Sequence, residues 1–355
     1  MNLLIRIIVL SLVIIISDIY FYRLFKNIFF KSSKRIKLLK NIIIALALLF
    51  VAFEICWYII IGFPLDDFIK YRELFALLDV FILVYLPKAF SAFFLIIFDL
   101  FNFISIKCKQ ARNKEIVRKK NSWAYITALV IMIAILSFCV YGFVYGKTDL
   151  KLHKLELEYR DLPESFDGFK IVQITDIHLG SFSNTKAIEK YCKAISDIAP
   201  DMLVMTGDLI NVSDKELEPY YPFLGKIDPP YGKYSILGNH DIGDYFKMKD
   251  PPNHAEITSK LITGEKSMGF IMLVDSALYI KKGEDSIALI GVNNCGTFPF
   301  KHNGNLKKAL SYANAPGFKI LLSHDPNHWS MEVTSKTDIS LTLSGHTHAM
   351  QLAII

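Results

Sequence analysis

The chain has 355 residues, 52% of them hydrophobic, with a mean hydropathy of +0.34. Such values exclude a disordered or fibrous chain and place part of the sequence in a membrane. The formal charge of +6 is no nucleic-acid signature: residues 1–146 hold 18 basic and 8 acidic side chains, and residues 147–355 hold 22 and 26. The basic excess belongs to the apolar half, and no basic stripe interleaved with aromatics marks the other half, so nucleic acid is not an expected partner.

A bilayer crossing takes about 20 mostly apolar residues. Four stretches qualify, 2–22, 41–63, 74–104 and 124–146. The third is too long for one straight crossing and holds Pro87 and Lys88. Cutting it at Pro87 leaves a first piece of only about a dozen residues, too short to span, so a single kinked or tilted helix is expected. The run before Arg23 has no small-residue cleavage site, which favours a retained span over a signal peptide.

Loop charges set the topology. Arg23, Lys26, Lys31, Lys34, Arg35, Lys37 and Lys40 follow the first span, and Lys107, Lys109, Arg112, Lys114, Arg118, Lys119 and Lys120 precede the fourth. Residues 64–73 offer only Lys70 and Arg72 beside Asp66, Asp67 and Glu73. By the positive-inside rule both heavy loops are cytoplasmic, and everything after the fourth span lies on the outer face. Asp18, Glu54, Asp79, Lys88 and Asp99 fall in or near spans. Ionisable groups in spans are functional-site candidates by default, and because several of these fall near span ends, interfacial or interhelical pairing is an equal expectation.

The boundary falls near Lys147, giving a helical membrane unit over 1–146, in contact with lipid, and a second domain over 147–355. The latter alternates strand and helix patterns. Strands are expected at 151–159, 169–174, 202–205, 234–237, 270–273, 278–281, 287–292, 320–322 and 339–343. Helices are expected near 185–198, 214–225 and 254–263. This is an α/β layout. Cys192 and Cys295 are the two cysteines of this part, and with nothing to place them side by side, free thiols are expected.

Five short segments punctuate that layout: Asp176-Ile177-His178, Gly207-Asp208, Gly238-Asn239-His240-Asp241, Ser323-His324 and Gly345-His346-Thr347-His348. Each follows an apolar strand pattern, where open α/β sheets form their ligand crevice. They supply only oxygen and nitrogen donors, a set suited to two divalent cations that activate water and clamp a phosphate ester. Alone, each segment would be a turn or a surface histidine; five in this order are far more specific.

The order and spacing of these segments resemble the calcineurin-like metallophosphoesterase family, with its D-x-H, G-D, G-N-H-[DE], lone His and G-H-x-H blocks. The resemblance covers roughly residues 169–350 and points to the branch with N-terminal transmembrane helices. It implies two packed sheets flanked by helices. It also implies one metal held by Asp176, His178 and His348, a second held by Asn239, His324 and His346, and Asp208 bridging them, with Mn, Fe or Zn as the ions. His240 would contact the phosphate and protonate the leaving oxygen, with Asp241 orienting its ring.

The function these observations imply is a membrane-anchored, dinuclear metal-dependent phosphoesterase, hydrolysing phosphate or pyrophosphate esters by attack of a metal-bridging hydroxide. The anchoring points to lipid-linked or envelope substrates. The alternative is a non-catalytic, metal-dependent membrane binding or sensor protein, which has no need of the His240 and Asp241 pair. His254, His302, His328, Trp329 and Tyr245 are further candidates to line a pocket. Where the family continues Gly-Gly-Gln, this chain has Ala349-Met350-Gln351 and ends at Ile355. The domain is therefore expected either to be truncated or to close its second sheet differently.

Overall fold

The computed structural model describes residues 3–29, 33–61, 68–112, 122–182, 184–243, 251–298 and 300–348. The chain divides into two compact units, Met1–Asp149 and Leu150–Ile355. Tyr245 and the Ala349-Met350-Gln351 segment lie outside the described residues.

Among the described residues, the first unit holds four long helices, α1 (Leu3–Ile28), α2 (Ser33–Ile61), α3 (Phe68–Ala111) and α4 (Ser122–Val144). Among the described residues three stretches are long and apolar enough to cross a membrane, Ile8–Ile28, Leu78–Ala111 and Ser122–Val144. The third expected span is one helix with Pro87 inside it. Large apolar side chains such as Leu12, Ile19, Phe93, Phe101, Val130 and Phe138 are exposed, while Leu24, Leu95, Ala124 and Ala128 are buried together. Apolar groups outside and small residues between helices suit a lipid solvent.

Two ion pairs join α1 to α3. Lys88 Nζ lies 2.8 Å from Asp18 Oδ1, and the Tyr85 hydroxyl donates to Asp18 Oδ2 at 3.0 Å. Arg23 Nη1 lies 2.6 Å from Asp99 Oδ2, which also accepts from the Tyr20 hydroxyl at 3.1 Å. Asp18 and Lys88 are buried, and each supplies the other's countercharge, which makes burial tolerable. The expected interhelical pairing is therefore present for Asp18, Lys88 and Asp99; the Glu54 side chain lies outside the described residues.

Two four-stranded sheets organise the second unit. In one, β1 (Ile171–Ile174), β2 (Met202–Met205), β3 (Lys233–Ser235) and β4 (Phe270–Met272) run parallel in chain order. In the other, β5 (Ser276–Lys282) and β6 (Asp285–Gly291) are antiparallel, and β7 (Lys319–Leu322) and β8 (Leu341–Leu343) continue parallel to β6. The described α-helices of this unit are α5 (Lys186–Ile198), α6 (Tyr221–Leu224), α7 (Pro251–Ser267) and α8 (Leu306–Ser311), with short 3-10 turns between elements.

Strand periodicity builds the layers. Leu203 and Met205 of β2 enter a core with Ile188 of α5, Leu224 of α6 and Leu261 of α7, while Met202 and Val204 enter the core between the sheets. Ile287 and Leu289 of β6 face that same inter-sheet core, and Ala288 and Ile290 pack with Leu306 and Ala309 of α8. Side chains alternate across a strand, so a strand covered on both faces is apolar throughout. The two packed sheets flanked by helices follow.

Two expectations fail locally. Residues 151–159 form no strand; Leu152, Leu155 and Leu157 are exposed, Leu155 at 81%. Their alternation is imperfect, and among the described strands none pairs with them, so the segment lacks a ladder. The helix expected near 214–225 is instead a 3-10 helix, Asp214–Tyr220, followed by the short α6. Pro219 and Pro222 remove the amides a continuous helix would need.

Candidate metal centre

All five segments sit at the carboxyl ends of strands, after β1, β2, β3, β7 and β8 respectively. Main-chain hydrogen bonds draw them together. Asp176 donates its N–H to the Gly207 carbonyl at 3.0 Å, His178 to the Asp208 carbonyl at 3.1 Å, and Gly345 to the His324 carbonyl at 2.9 Å. The His346 N–H donates to the Asp176 carboxylate at 2.9 Å, and the His240 N–H to Asp208 Oδ1 at 2.9 Å.

The turns that aim these side chains are conformationally costly. Asp176, His178, Asp208, His346 and His348 all have positive φ, between 49° and 68°. A left-handed conformation costs a residue other than glycine on the order of 1 kcal/mol or more, and such strain persists where the surrounding contacts over-determine it. At Gly207 (φ 93°) a Cβ would come within 2.6 Å of the Gly238 nitrogen, so this crossing of two of the five segments requires glycine.

The donor atoms converge in three groups, each with its atoms within 4.8 Å of one another: Asp176, His178 and His348; His178, Asp208 and His240; and Asp208, His324 and His346. Asn239 Oδ1 lies 3.1 Å from His324 Nε2. Asp208 Oδ2 stands between the groups, 3.2 Å from His324 Nε2 and 3.8 Å from His178 Nε2. The structure thus gathers all seven residues expected as ligands, and adds His240 to the same cluster.

Protonation fits a cation site. His324 Nδ1 faces the Thr206 carbonyl at 2.8 Å. A carbonyl only accepts, so Nδ1 carries a proton and Nε2 points to Asp208 and Asn239, the outer-shell arrangement seen in metal-binding histidines. Burial opposes a charge on His324, but the Asp208 hydrogen bond and charge outweigh it and push its pKa up to about 9. Burial pushes Asp208 up as well, yet the His324 hydrogen bond and the neighbouring imidazoles bring it down to about 2. A proton on His324 thus offsets the negative charge that a divalent cation would otherwise neutralise. Burial, then His240, holds His178 down at about 4, and burial lowers His346, so both are neutral and able to ligate at neutral pH.

One expected role is corrected. The Asp241 carboxylate accepts main-chain N–H groups from Asp208 at 2.7 Å, Leu209 at 3.0 Å, Ile210 at 3.2 Å and Gly238 at 2.9 Å. It is wholly committed to tying the Gly207-Asp208 turn to the segment after β3. The His240 ring instead presents Nδ1 to the Asn211 carbonyl at 2.9 Å. Glu216 forms a second amide cage, accepting from Gly180 at 2.9 Å, Asn211 at 2.6 Å, Val212 at 2.7 Å and Ser213 at 2.9 Å. Asn211 and Glu216 were not anticipated as site residues. The Ser213 to Glu216 spacing is a capping-box signature, and it marks Glu216 as a residue with main-chain work to do.

The remaining candidates are dispersed. His328 is fully buried, with Nδ1 2.8 Å from Ser323 Oγ and Nε2 3.3 Å from Glu332 Oε2. His302 reaches the other oxygen of Glu332 at 3.5 Å. His328 is therefore an internal strut beneath the His324 turn, whereas Trp329 is half exposed. His254 lies on α7. Cys192 and Cys295 are free thiols in separate cores.

The sequence carries matching family signatures. Residues 169–350 match the calcineurin-like phosphoesterase model, and residues 3–147 match the transmembrane domain described for such phosphoesterases. The chain belongs to the calcineurin-like phosphoesterase family, in its transmembrane branch. It is 30% identical over 266 residues to the "Transmembrane protein with metallophosphoesterase domain" of Danio rerio, covering 73% of this chain and 58% of that one. It is 30% identical to the "Uncharacterized metallophosphoesterase YkuE" of Bacillus subtilis, covering 54% and 63%. With the "UDP-2,3-diacylglucosamine pyrophosphatase LpxG" of Chlamydia muridarum it shares 26% identity over 58% of this chain and 71% of that one. The chain spans less than two thirds of the length of the first two.

Proposed function

We propose that this protein hydrolyses phosphate or pyrophosphate esters at the outer face of a membrane, with two divalent cations, of Mn, Fe or Zn, held in the centre described above. The observation that carries this reading is the Asp208 carboxylate placed between two groups of histidine and carboxylate donors. Asp176, His178 and His348 would hold one ion, Asn239, His324 and His346 the other, and Asp208 would serve both. When bound, such ions polarise phosphoryl oxygens and acidify water.

The protein's own groups supply the rest. The main-chain cages of Asp241 and Glu216 keep the ligand turns fixed, so little reorganisation accompanies the reaction. Asn211 keeps a proton on Nδ1 of His240, which assigns proton exchange to Nε2. As water adds to phosphorus and the bond to the leaving oxygen breaks, the imidazolium form of His240 would pass its Nε2 proton to that oxygen while Nδ1 keeps its own, and the proton released by the water would restore the imidazolium. A binding module has no need of an imidazole oriented in this way.

Outer placement is supported by the two basic loops of the helical unit. A lipid-linked or envelope substrate is supported by the anchoring, and by the name of the Chlamydia muridarum relative, whose substrate is a diacylated sugar nucleotide. An envelope lipid extract incubated with full-length protein and Mn2+ tests the substrate class. Wild type should release phosphorylated products that His240→Ala does not, and identical extracts from both would refute it. A tag at Lys301, an exposed position, should be labelled from outside intact cells; labelling only from the cytoplasm would refute the orientation.

A further inference from the structure

Glu216 lies outside the metal ligand set, yet its carboxylate is buried and both oxygens are saturated by main-chain donors. Those donors come from two chain segments. Gly180 follows the first ligand turn, and Asn211, Val212 and Ser213 follow the second. The shortest of the four bonds, 2.6 Å, is to the N–H of Asn211. That residue's carbonyl receives His240 Nδ1. A buried anion, one residue of main chain and an imidazole thus form a continuous path. The Asp241 cage acts on Asp208, Leu209, Ile210 and Gly238 instead, so the two carboxylates divide the site between them.

We infer that Glu216 is a positioning residue for proton transfer: it fixes the Asn211 carbonyl, which sets the tautomer and tilt of His240 so that Nε2 faces the leaving oxygen. This rests on the role proposed for His240. Neutral glutamine at 216 keeps the shape but turns one acceptor into an NH2 donor facing main-chain N–H groups. The Asn211 carbonyl then moves, and the hydrogen bond from His240 Nδ1 is weakened. Gly180 offers a second way to disturb the same cage, because a Cβ there would come within 2.5 Å of Glu216 Oε2.

The test compares two esters of equal charge with full-length protein and Mn2+. A nitrophenyl phosphate ester releases an anion that needs no proton, whereas an alkyl phosphate ester releases an alkoxide that does. The ratio of kcat/KM for the alkyl ester to that for the nitrophenyl ester is independent of how much protein is folded. In Glu216→Gln and in Gly180→Ala that ratio should fall by about tenfold or more, within the roughly hundred- to ten-thousandfold contribution of a positioned general acid. His240→Ala should lower it at least as far. If His240→Ala lowers the ratio and neither cage variant does, the positioning role of Glu216 is wrong. If no variant changes the ratio, the proton-transfer role of His240 is itself wrong, and the inference about Glu216 falls with it.

Discussion

His178 and His348 point their Nε2 atoms at each other across 3.2 Å, with ring planes 13° apart. Two imidazoles so placed can share one proton at best. The same spacing suits two ligands of one cation with bonds of about 2.0–2.1 Å. Full-length protein should therefore gain thermal stability on adding Mn2+ or Zn2+, about 2.7 kcal/mol at a hundredfold excess over Kd. Melting curves of wild type and Asp208→Asn check this. The gain should be largely lost in the variant, and a wild-type midpoint indifferent to every divalent cation would count against the site.

Asp241 is expected to act through stability. Asp241→Asn replaces an acceptor oxygen with a donor amide among four N–H groups, leaving buried donors unpaired at a cost of about 3 kcal/mol. Denaturant midpoints should show that loss with metal absent. A variant as stable as wild type would mean the carboxylate cage does not hold the turn.

Glu265 should give the second unit a pH-dependent stability. Burial, then the Asp241 carboxylate, push its pKa from 4.5 up to about 8. Because the folded value is the raised one, the stability tied to its proton is complete below about pH 4.5 and is lost as pH rises through about 8. Glu265→Gln cannot lose that proton. The stability of the variant relative to wild type should therefore increase, by on the order of a few kcal/mol, between about pH 5 and about pH 9. Chemical denaturation across that range checks it, and a constant difference would contradict it.

The buried pair of the helical unit should be lopsided under mutation. Lys88→Met leaves the buried Asp18 carboxylate without the Lys88 countercharge, at a cost of about 3–5 kcal/mol, whereas adding Asp18→Asn should recover most of it. Thermal unfolding in detergent, followed for the single and double variants, measures the difference. Equal stability of all three proteins would show that the pair is exposed to solvent.

Much of the candidate site was legible because the residues that the structure gathers there are polar ones placed directly after apolar strands, a pattern that survives in one dimension. What escaped depends on backbone direction. Asp241 follows His240 in sequence and invites pairing with it, but the turn sends its carboxylate inward to the amides of 208–210 and Gly238. The orienting group for His240 is a main-chain oxygen, that of Asn211, which no side-chain pattern records. The left-handed turns at Asp176, His178, Asp208, His346 and His348 are likewise invisible in residue types. The leucines at 152, 155 and 157 show the opposite failure, a strand-like pattern that pairs with none of the described strands.

The role proposed for Asp208 is to join two groups of donors into one hydrolytic metal centre. Its most direct test is turnover of nitrophenyl phosphate mono- and diesters by purified full-length protein, stripped of metal and reloaded with Mn2+, beside Asp208→Asn treated identically. Stripped protein should show no turnover, Mn2+ should restore it in wild type, and the variant should lose about a hundredfold or more. Absence of turnover with any of Mn, Fe or Zn, or equal turnover by Asp208→Asn, would contradict it.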